Sequence, residues 1–309
     1  MSVLTGDHVG MTQTKSQIRS MLAAAGIRPL KRFGQHFLID GNLMRKLVSA
    51  AGVRDNDVVL EVGPGTGGLT EELLERAGHV VAVEIDRRLH AICRSRLASA
   101  DLLTLIHDDV LERKSAIADE VLHALASRQE PLGGRIMLVA NLPYQVATPL
   151  LIDLLAGELP VSPLCFTVQA EVADRLAASP GNKTYGPISV LAQAFASVGR
   201  IAHVPPEAFW PVPKVDSVML RLDVREEGRL PPAVQARLSE VVRGCFSHRR
   251  KTMKSNLRTL LDEASFQRVA SDGRWDLSDR PERITVAQWI ELAAMLSSSQ
   301  PAKEMRANG

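Results

Sequence analysis

The feature that most constrains the fold is a short apolar run that leads directly into a glycine-rich turn. Val58–Val62 reads VVLEV, and Gly63–Gly68 follows it as GPGTGG before a helical pattern begins at Leu69. A continuous apolar run is typical of a strand that is buried on both faces of a parallel sheet. Glycines at a strand-to-helix turn let a ligand approach the backbone closely, next to a helix N-terminus. The segment therefore predicts an α/β fold with a ligand site at this turn.

Strand and helix patterns alternate through the middle of the chain. Further strands are expected at His79–Ile85, Leu102–Ile106, Ile136–Ala140 and Leu164–Val168, with two more candidates near Ala202 and over Ser217–Leu222. Strands that alternate with helices indicate a sheet covered by helices on both faces. We therefore predict a Rossmann-like, mostly parallel sheet of seven strands.

The C-terminal part has a different composition. Residues 225–233, REEGRLPPA, combine charge, glycine and proline, which is typical of a linker, and only helical patterns follow. We therefore predict a flexible tail over 1–14, an α/β domain over 15–224 and a small all-α domain over 225–309. The 309 residues, 45% of them hydrophobic, suffice for both cores.

Charge and cysteine content limit the classes of function. The net charge is only +2, but residues 15–46 carry seven basic residues against Asp40, and residues 243–258 carry six with no acid. Such clusters would attract a polyanion, although a solvated helix face explains any single one. The three cysteines lack a C-x-x-C spacing, so neither a zinc site nor a disulfide framework is expected. Without a signal-peptide or membrane-span pattern, we expect a cytoplasmic protein without a membrane partner.

The glycine turn is followed by acidic residues at the ends of the next two strands. The spelling E-x-G-x-G-x-G, which includes Gly63 and Gly65, is the one seen in class I methyltransferases, whereas dinucleotide enzymes use G-x-G-x-x-G. Glu84 is placed to accept hydrogen bonds from ribose hydroxyls. Asp109 is placed to accept from an adenine amine, with the cap of a turn as its alternative role.

A second motif, Asn141-Leu142-Pro143-Tyr144, ends the fourth strand. An adenine amine is a poor nucleophile because its lone pair is delocalised into the ring. The Asn141 side-chain carbonyl and the Leu142 backbone carbonyl are expected to accept its two hydrogens and direct the lone pair at a sulfonium methyl. Pro143 favours an extended Leu142, and Tyr144 offers a face on which the target base can stack. Because a duplex hides this amine, the target should be unpaired, as in an RNA loop.

These motifs, taken in order, resemble the ribosomal RNA adenine dimethyltransferases, in particular their bacterial small-subunit branch. The resemblance runs from Lys31 to Leu296. It is carried by KRFGQHFL at 31–38, the glycine turn, Glu84, Asp109, NLPY at 141–144, QAEV at 169–172, YG at 185–186, VPP at 204–206 before Phe209, PKVDS at 213–217 and RRKT at 249–252.

The resemblance implies a reaction, a cofactor and a partner. It implies that four methyl groups pass from S-adenosylmethionine to the N6 amines of two adjacent adenosines. These adenosines lie in a hairpin loop near the 3′ end of 16S rRNA, within an immature 30S particle. The enzyme is expected to act as a monomer without a metal. S-adenosylmethionine contacts are implied at His36, Leu38, Gly63, Glu84, Asp109 and Asn141.

Some positions are less decided or depart from the family. His36 stands where asparagine is common, Ala170 replaces a usual lysine, and residues 111–134 are longer than usual, with a helix near the cofactor as one outcome. Phe209 is expected either to stack on the target base or to pack in the core. Five basic residues are expected to contact RNA phosphates, with a solvated surface as the alternative; they are Lys31, Arg32, Arg249, Arg250 and Lys251.

Three other functions compete with this one. A sister enzyme that methylates large-subunit rRNA and confers macrolide resistance shares most motifs, but the PKVDS and RRKT segments favour the small-subunit branch. An assembly factor whose methylation is incidental would keep the same sequence. A dinucleotide-dependent oxidoreductase is supported only by the glycine turn and Glu84. The NLPY motif would have no function in such an enzyme.

Overall fold

The computed structural model describes residues 13–30, 34–113, 116–143, 145–157, 159–225 and 229–298. Of the predicted features, Tyr144, Lys31, Arg32 and residues 1–12 of the tail lie outside these residues. The chain divides into two units, Met1–Ala173 with Val198–Val224, and Asp174–Ser197 with Arg225–Gly309.

The part of the chain as far as Val224 contains both strands and helices. The strands are β1 Phe37–Leu38, β2 Val58–Val62, β3 His79–Val83, β4 Leu103–Ile106, β5 Leu111–Arg113, β6 Ala116–Ile117, β7 Ile136–Asn141, β8 Val161–Gln169, β9 Ala196–Val204, β10 Phe209–Trp210 and β11 Ser217–Val224. The helices are α1 Lys15–Ala24, α2 Gly41–Ala51, α3 Gly68–Leu74, α4 Arg87–Arg96, α5 Asp119–Leu132, α6 Ala147–Ala156, α7 Ala170–Leu176 and α8 Pro187–Phe195.

The main sheet has seven strands in the order β4-β3-β2-β7-β8-β11-β9, which confirms the predicted count and class. β2 pairs in parallel with β3 on one side and with β7 on the other, so the strand order reverses between β2 and β7. Ligands bind outside the carboxyl ends of strands at such a switch point. β11 runs antiparallel to β8, which distinguishes this order from the 3-2-1-4-5-6 order of dinucleotide-binding folds.

The apolar runs that predicted the central strands are buried along their whole length. Every residue of β2 and of β3 is buried. Helices α2 and α3 contribute Leu47, Val48 and Leu73 to a core cluster with Val59 and Val80. Burial on both faces holds the carboxyl ends of β2 and β3 in fixed positions, so the turn that follows β2 starts from a rigid base.

The long segment 111–134 forms a hairpin, β5 and β6, followed by α5. A helix is therefore present, as the sequence suggested. However, α5 packs against β2 and β3 through Val121 and Leu125, and no described residue of α5 lines the cavity that contains the predicted cofactor residues. Its apolar face covers the sheet instead.

The second unit is helical and contains α8 together with α9 Pro232–Ser247, α10 Met253–Leu260, α11 Glu263–Asp272 and α12 Val286–Ser297. Its core includes Tyr185, whose hydroxyl donates to the Ile284 carbonyl at 2.9 Å, and Trp289. Residues 174–197, which the sequence analysis placed in the α/β domain, belong to this unit because α8 packs against α9 and α12. Among the described residues, no helix is both long and apolar enough to span a bilayer.

Candidate functional site

One cavity lies at the carboxyl ends of β2, β3 and β7. The glycine turn, the end of β3, Asn141 and Pro143 form its wall together with residues 34–36, called the arm, which precede β1. It is lined by Gly65 of the glycine motif and by the six residues at which the resemblance implied cofactor contacts, namely His36, Leu38, Gly63, Glu84, Asp109 and Asn141. The fold thus brings together residues that are more than one hundred positions apart in the chain.

Two glycines of the turn are required by both conformation and space. Gly63 has φ +73°, and a Cβ on it would lie 3.0 Å from Cγ of Pro143. Gly65 has φ +60°, and a Cβ there would lie 2.9 Å from the Phe37 ring. Positive φ values are strained for residues with a Cβ. Pro143 of the NLPY segment therefore packs directly on the turn, and the cavity wall has no room for a side chain at either glycine.

Glu84 binds the glycine turn through its carboxylate. Its Oε2 accepts from the Gly65 backbone N–H at 3.0 Å, and its Oε1 accepts from the Asp86 N–H at 2.9 Å. Burial raises the pKa of Glu84 to about 7, although both backbone hydrogen bonds lower it. A carboxylate held in this way lies at the edge of the turn, where it can accept hydrogen bonds from the hydroxyls of a bound ribose.

Glu61, the acid on β2, also lines the cavity. Burial and the nearby Glu84 carboxyl raise the pKa of Glu61 to about 8, burial being the larger cause. Its Oε2 is buried and has no hydrogen-bond partner among the described residues. Buried acceptors without a partner are rare in proteins. A cationic ligand such as S-adenosylmethionine, with its sulfonium and ammonium groups, fits a cavity that contains the buried carboxyls of Glu61 and Glu84.

Asn141 is held in a defined orientation by the arm. Its Nδ2 donates to the His36 backbone carbonyl at 3.0 Å. Since that carbonyl can only accept, the amide is oriented with Oδ1 turned away from it. The His36 ring contacts a different group, as its Nδ1 lies 2.6 Å from the Pro211 carbonyl, to which it must donate. The histidine that departs from the family pattern therefore joins the arm both to Asn141 and to the segment after β10.

Asp109 has the turn-capping role that the sequence analysis gave as its alternative, and it lies at the cavity. Its Oδ1 accepts from the Leu111 backbone N–H at 3.0 Å, which caps the turn after β4. The same residue lines the cavity.

The arm is fixed by a short ladder. β1 pairs antiparallel with β10, so that Leu38 lies opposite Phe209, and the Ile39 N–H donates to the Ala208 carbonyl at 2.8 Å. Phe209 is only 2% exposed and belongs to the core cluster that includes Leu38 and Met219. Its ring therefore packs in the core and offers no open face to a base, which corrects the stacking role considered from the sequence.

The other predicted residues have different environments. Leu142 is buried, and its backbone N–H donates to the Thr167 carbonyl at 3.2 Å. In the helical unit, the three predicted basic residues lie in the turn between α9 and α10 rather than on a helix. Arg249 pairs with Glu282 at 3.7 Å, whereas the side chains of Arg250 and Lys251 are exposed.

The sequence analysis missed the start of α1 as part of the site. Gln13 and Ile18 line the cavity, and Gln13 is only 4% exposed. The predicted tail is therefore wrong at residues 13 and 14, since Thr14 caps α1 in a capping box with Gln17. The T-x-x-Q spacing before Ile18 and Leu22 was the available sequence signal.

The sheet order, the glycine turn and the acidic cavity together define a class I methyltransferase, an enzyme that binds S-adenosylmethionine at the switch point. The chain belongs to the ribosomal RNA adenine dimethylase family, whose model matches residues 28–298. It is therefore an rRNA adenine methyltransferase.

Curated relatives agree with this assignment, and a solved structure has a similar fold. A ribosomal RNA small subunit methyltransferase A of Phenylobacterium zucineum (strain HLK1) is 41% identical over 281 residues, which cover 91% of this chain and 93% of that protein. The protein of the same name from Pediococcus pentosaceus is 38% identical over 90% of this chain and 93% of its own length. The fold is similar to that of a dimethyladenosine transferase from Plasmodium falciparum, with a TM-score of 0.64 and 22% identity over 83% of this chain and 96% of that chain.

Proposed function

We propose that this protein dimethylates the N6 amines of two adjacent adenosines in a hairpin loop near the 3′ end of 16S rRNA. The methyl donor is S-adenosylmethionine, and the substrate is an immature 30S particle. The names of the relatives that are 38–41% identical over most of the chain support the small-subunit target. We further propose that the enzyme acts as a monomer in the cytoplasm.

The observation that carries the proposal is the anchored amide of Asn141 beside the glycine turn. The His36 carbonyl binds Nδ2 of the amide, so Oδ1 faces the other way and can accept a hydrogen bond from the target amine. The Leu142 carbonyl is proposed to accept the second hydrogen. The donor supplies an electrophilic methyl group on sulfur. With both hydrogens bound, the nitrogen lone pair is directed out of the ring plane, and catalysis consists of positioning and preorganised acceptors.

Binding of the donor is assigned to residues of the α/β unit. Glu84 is proposed to accept from the ribose hydroxyls, Asp109 from the adenine amine, and the glycine turn to contact the donor through its backbone. His36 of the arm and Leu38 of β1 are proposed to close the cavity on that side. Arg250 and Lys251, with Arg249 partly neutralised by Glu282, are proposed to contact phosphates of the rRNA. Lys31, Arg32 and Tyr144 stay predictions from the sequence.

Mass spectrometry of rRNA provides the test. Small subunits that lack the modification are incubated with the protein and S-adenosylmethionine, and N6-dimethyladenosine is located in 16S rRNA. Asn141→Ala is expected to abolish the product, whereas Asn42→Ala, on the exposed start of α2, keeps it. Product on large subunits alone would instead establish the large-subunit activity. Normal ribosome assembly by Asn141→Ala in cells would assign the main role to assembly.

A further inference from the structure

The side chain of Gln13 is bound to the glycine turn by two hydrogen bonds. Its Nε2 donates to the Thr66 backbone carbonyl at 3.1 Å, and its Oε1 accepts from the Thr66 hydroxyl at 2.6 Å. Gln13 and Thr66 are 53 positions apart and both are buried. The Gln13 amide thus binds both the backbone carbonyl and the hydroxyl of Thr66, and these two bonds together fix the orientation of Thr66 as well as its distance from Gln13.

The same turn carbonyl has a second donor. Arg96 of α4 donates to the Thr66 carbonyl and also pairs with Glu71 of α3 at 2.5 Å. A carbonyl oxygen has two lone pairs, so Gln13 and Arg96 together satisfy it. The turn is thereby held from the side of α4 and from the side of the N-terminal segment.

Helix α1 begins two residues after Gln13 and lines part of the cavity through Ile18. Ile18, which lines the cavity, forms a buried cluster with Leu22, Ile27 and Leu89. Phe37 and Trp210, whose rings stack at 6.2 Å, pack against this cluster. The two hydrogen bonds of Gln13 to Thr66 join the start of α1 to the glycine turn.

We propose that Gln13 is a positioning residue for the methyl donor, and that it fastens residues 13–27 over the donor cavity as a cover. The cover has to open each time the spent donor is exchanged for a new one. Four transfers to one RNA loop require this exchange repeatedly, so the strength of the Gln13 contact sets the residence time of the bound donor. This inference rests on the proposed function and deepens it.

The experiment measures S-adenosylhomocysteine, the demethylated donor, by stopped-flow dissociation from the full chain, with Trp210 fluorescence as one readout. Gln13→Met keeps the length of the side chain and removes both hydrogen bonds. Loss of a buried hydrogen bond changes an equilibrium about tenfold, so we expect dissociation to become about tenfold faster. The Michaelis constant for S-adenosylmethionine should rise by a similar factor, and kcat at saturating donor should not fall.

Three further single variants separate the Gln13 contact from effects on folding and on the helix itself. Arg19→Ala changes the exposed face of α1 and should leave dissociation unchanged. Thr66→Val removes the hydroxyl partner and should accelerate dissociation, whereas Thr66→Ser keeps the hydroxyl and should restore the slow rate. When Gln13→Met is already present, adding Thr66→Val should not accelerate dissociation further, because the hydroxyl has already lost its glutamine partner.

Equal dissociation rates for Gln13→Met and the unaltered chain, with both folded, would overturn the inference and leave the proposed function intact. A fall in kcat together with an unchanged Michaelis constant would also overturn it. If the unaltered chain binds neither the donor nor S-adenosylhomocysteine, the proposed function itself fails, and the two results are thus distinguishable.

Discussion

The Nδ2 atom of Asn141 donates to the backbone carbonyl of His36 across 105 positions of sequence, at 3.0 Å. The bond joins the end of β7 to the arm before β1. Because the arm is itself fixed by the ladder between β1 and β10, the orientation of the amide depends on the folded α/β unit and not on the NLPY segment alone.

Replacing Asn141 by aspartate tests this relationship. A carboxylate cannot donate to the His36 carbonyl, and one of its oxygens would face that carbonyl, so the acceptor is misplaced. We expect methyl transfer to fall about 10²- to 10³-fold, as for the loss of an aligned polar group in other active sites. Initial rates on unmodified small subunits measure the effect, with Asn42→Asp as the matched control. Retention of more than a tenth of the rate would contradict the assigned orientation.

Gly65→Ala is expected to remove affinity for the methyl donor. The added Cβ meets the Phe37 ring at 2.9 Å at a residue with φ +60°. Gly133→Ala is the control, since Gly133 has φ +64° and nothing within 4 Å of an added Cβ. Each substitution costs about 1–2 kcal/mol of backbone strain, but only the first changes the cavity. Calorimetric titration with S-adenosylmethionine and thermal unfolding separate the two effects, and equal affinity losses in both variants would refute the close-approach argument.

The two raised carboxyl pKa values predict how stability depends on pH. In the ligand-free protein Glu84 and Glu61 titrate near 7 and 8, whereas unfolded glutamates are already ionised at these pH values. The folded state therefore holds more protons, and the free energy of unfolding should fall as pH rises from 6.5 to 8.5. Burial lowers the pKa values of His79 and His90, so the unfolded state holds more protons at these two residues near pH 6.5. They therefore oppose the fall at the lower end of the window, and the fall should be clearest toward pH 8.5.

Urea unfolding at several pH values measures this slope. Glu61→Gln removes the titration of Glu61 and should flatten the curve, whereas Glu75→Gln, at the end of α3 and away from the cavity lining, should leave it as it is. Stability that rises between pH 6.5 and 8.5 would contradict the burial argument. Because S-adenosylmethionine is cationic, its affinity should increase over the same interval.

Removing Arg250 and Lys251 together is expected to weaken binding to small subunits. Each phosphate contact contributes a slope of about 1 to the dependence of log affinity on log salt concentration. Arg250→Ala with Lys251→Ala should therefore lower this slope by about 2, and Arg249→Ala should have a smaller effect because Glu282 already pairs with Arg249. Arg274→Ala serves as the control, since Asp272 and Glu291 both engage that guanidinium. An unchanged salt slope would exclude these two residues as phosphate contacts.

Phe209→Ala distinguishes core packing from base stacking. A phenylalanine with 2% exposure should cost about 3–5 kcal/mol of unfolding free energy when truncated. Phe209→Leu should recover most of the stability and, with it, the methyl transfer. If Phe209→Leu were stable but inactive, the ring would have a direct role with the target base.

The sequence predicted what local patterns encode. The apolar runs of β2 and β3 and the glycines after β2 identify the sheet and the switch point, since burial on both faces and positive φ leave residue-level signals. Glu84 and Asn141 were predicted because they directly end strands whose direction follows from the α/β alternation. Their common cavity followed from topology.

Other features depended on contacts that no local pattern contains. Gln13 looked like part of a tail until Thr66 supplied its partners, and Phe209 had two equal roles until the ladder with β1 fixed its ring in the core. Residues 174–197 joined the helical unit because their apolar face packs there. The sequence alone determined the class of sheet, the glycine turn and the acceptors at the strand ends. Only the tertiary structure decided how those acceptors are oriented and what covers the cavity, because hydrogen bonds and side-chain packing between distant segments exist only when the chain is folded.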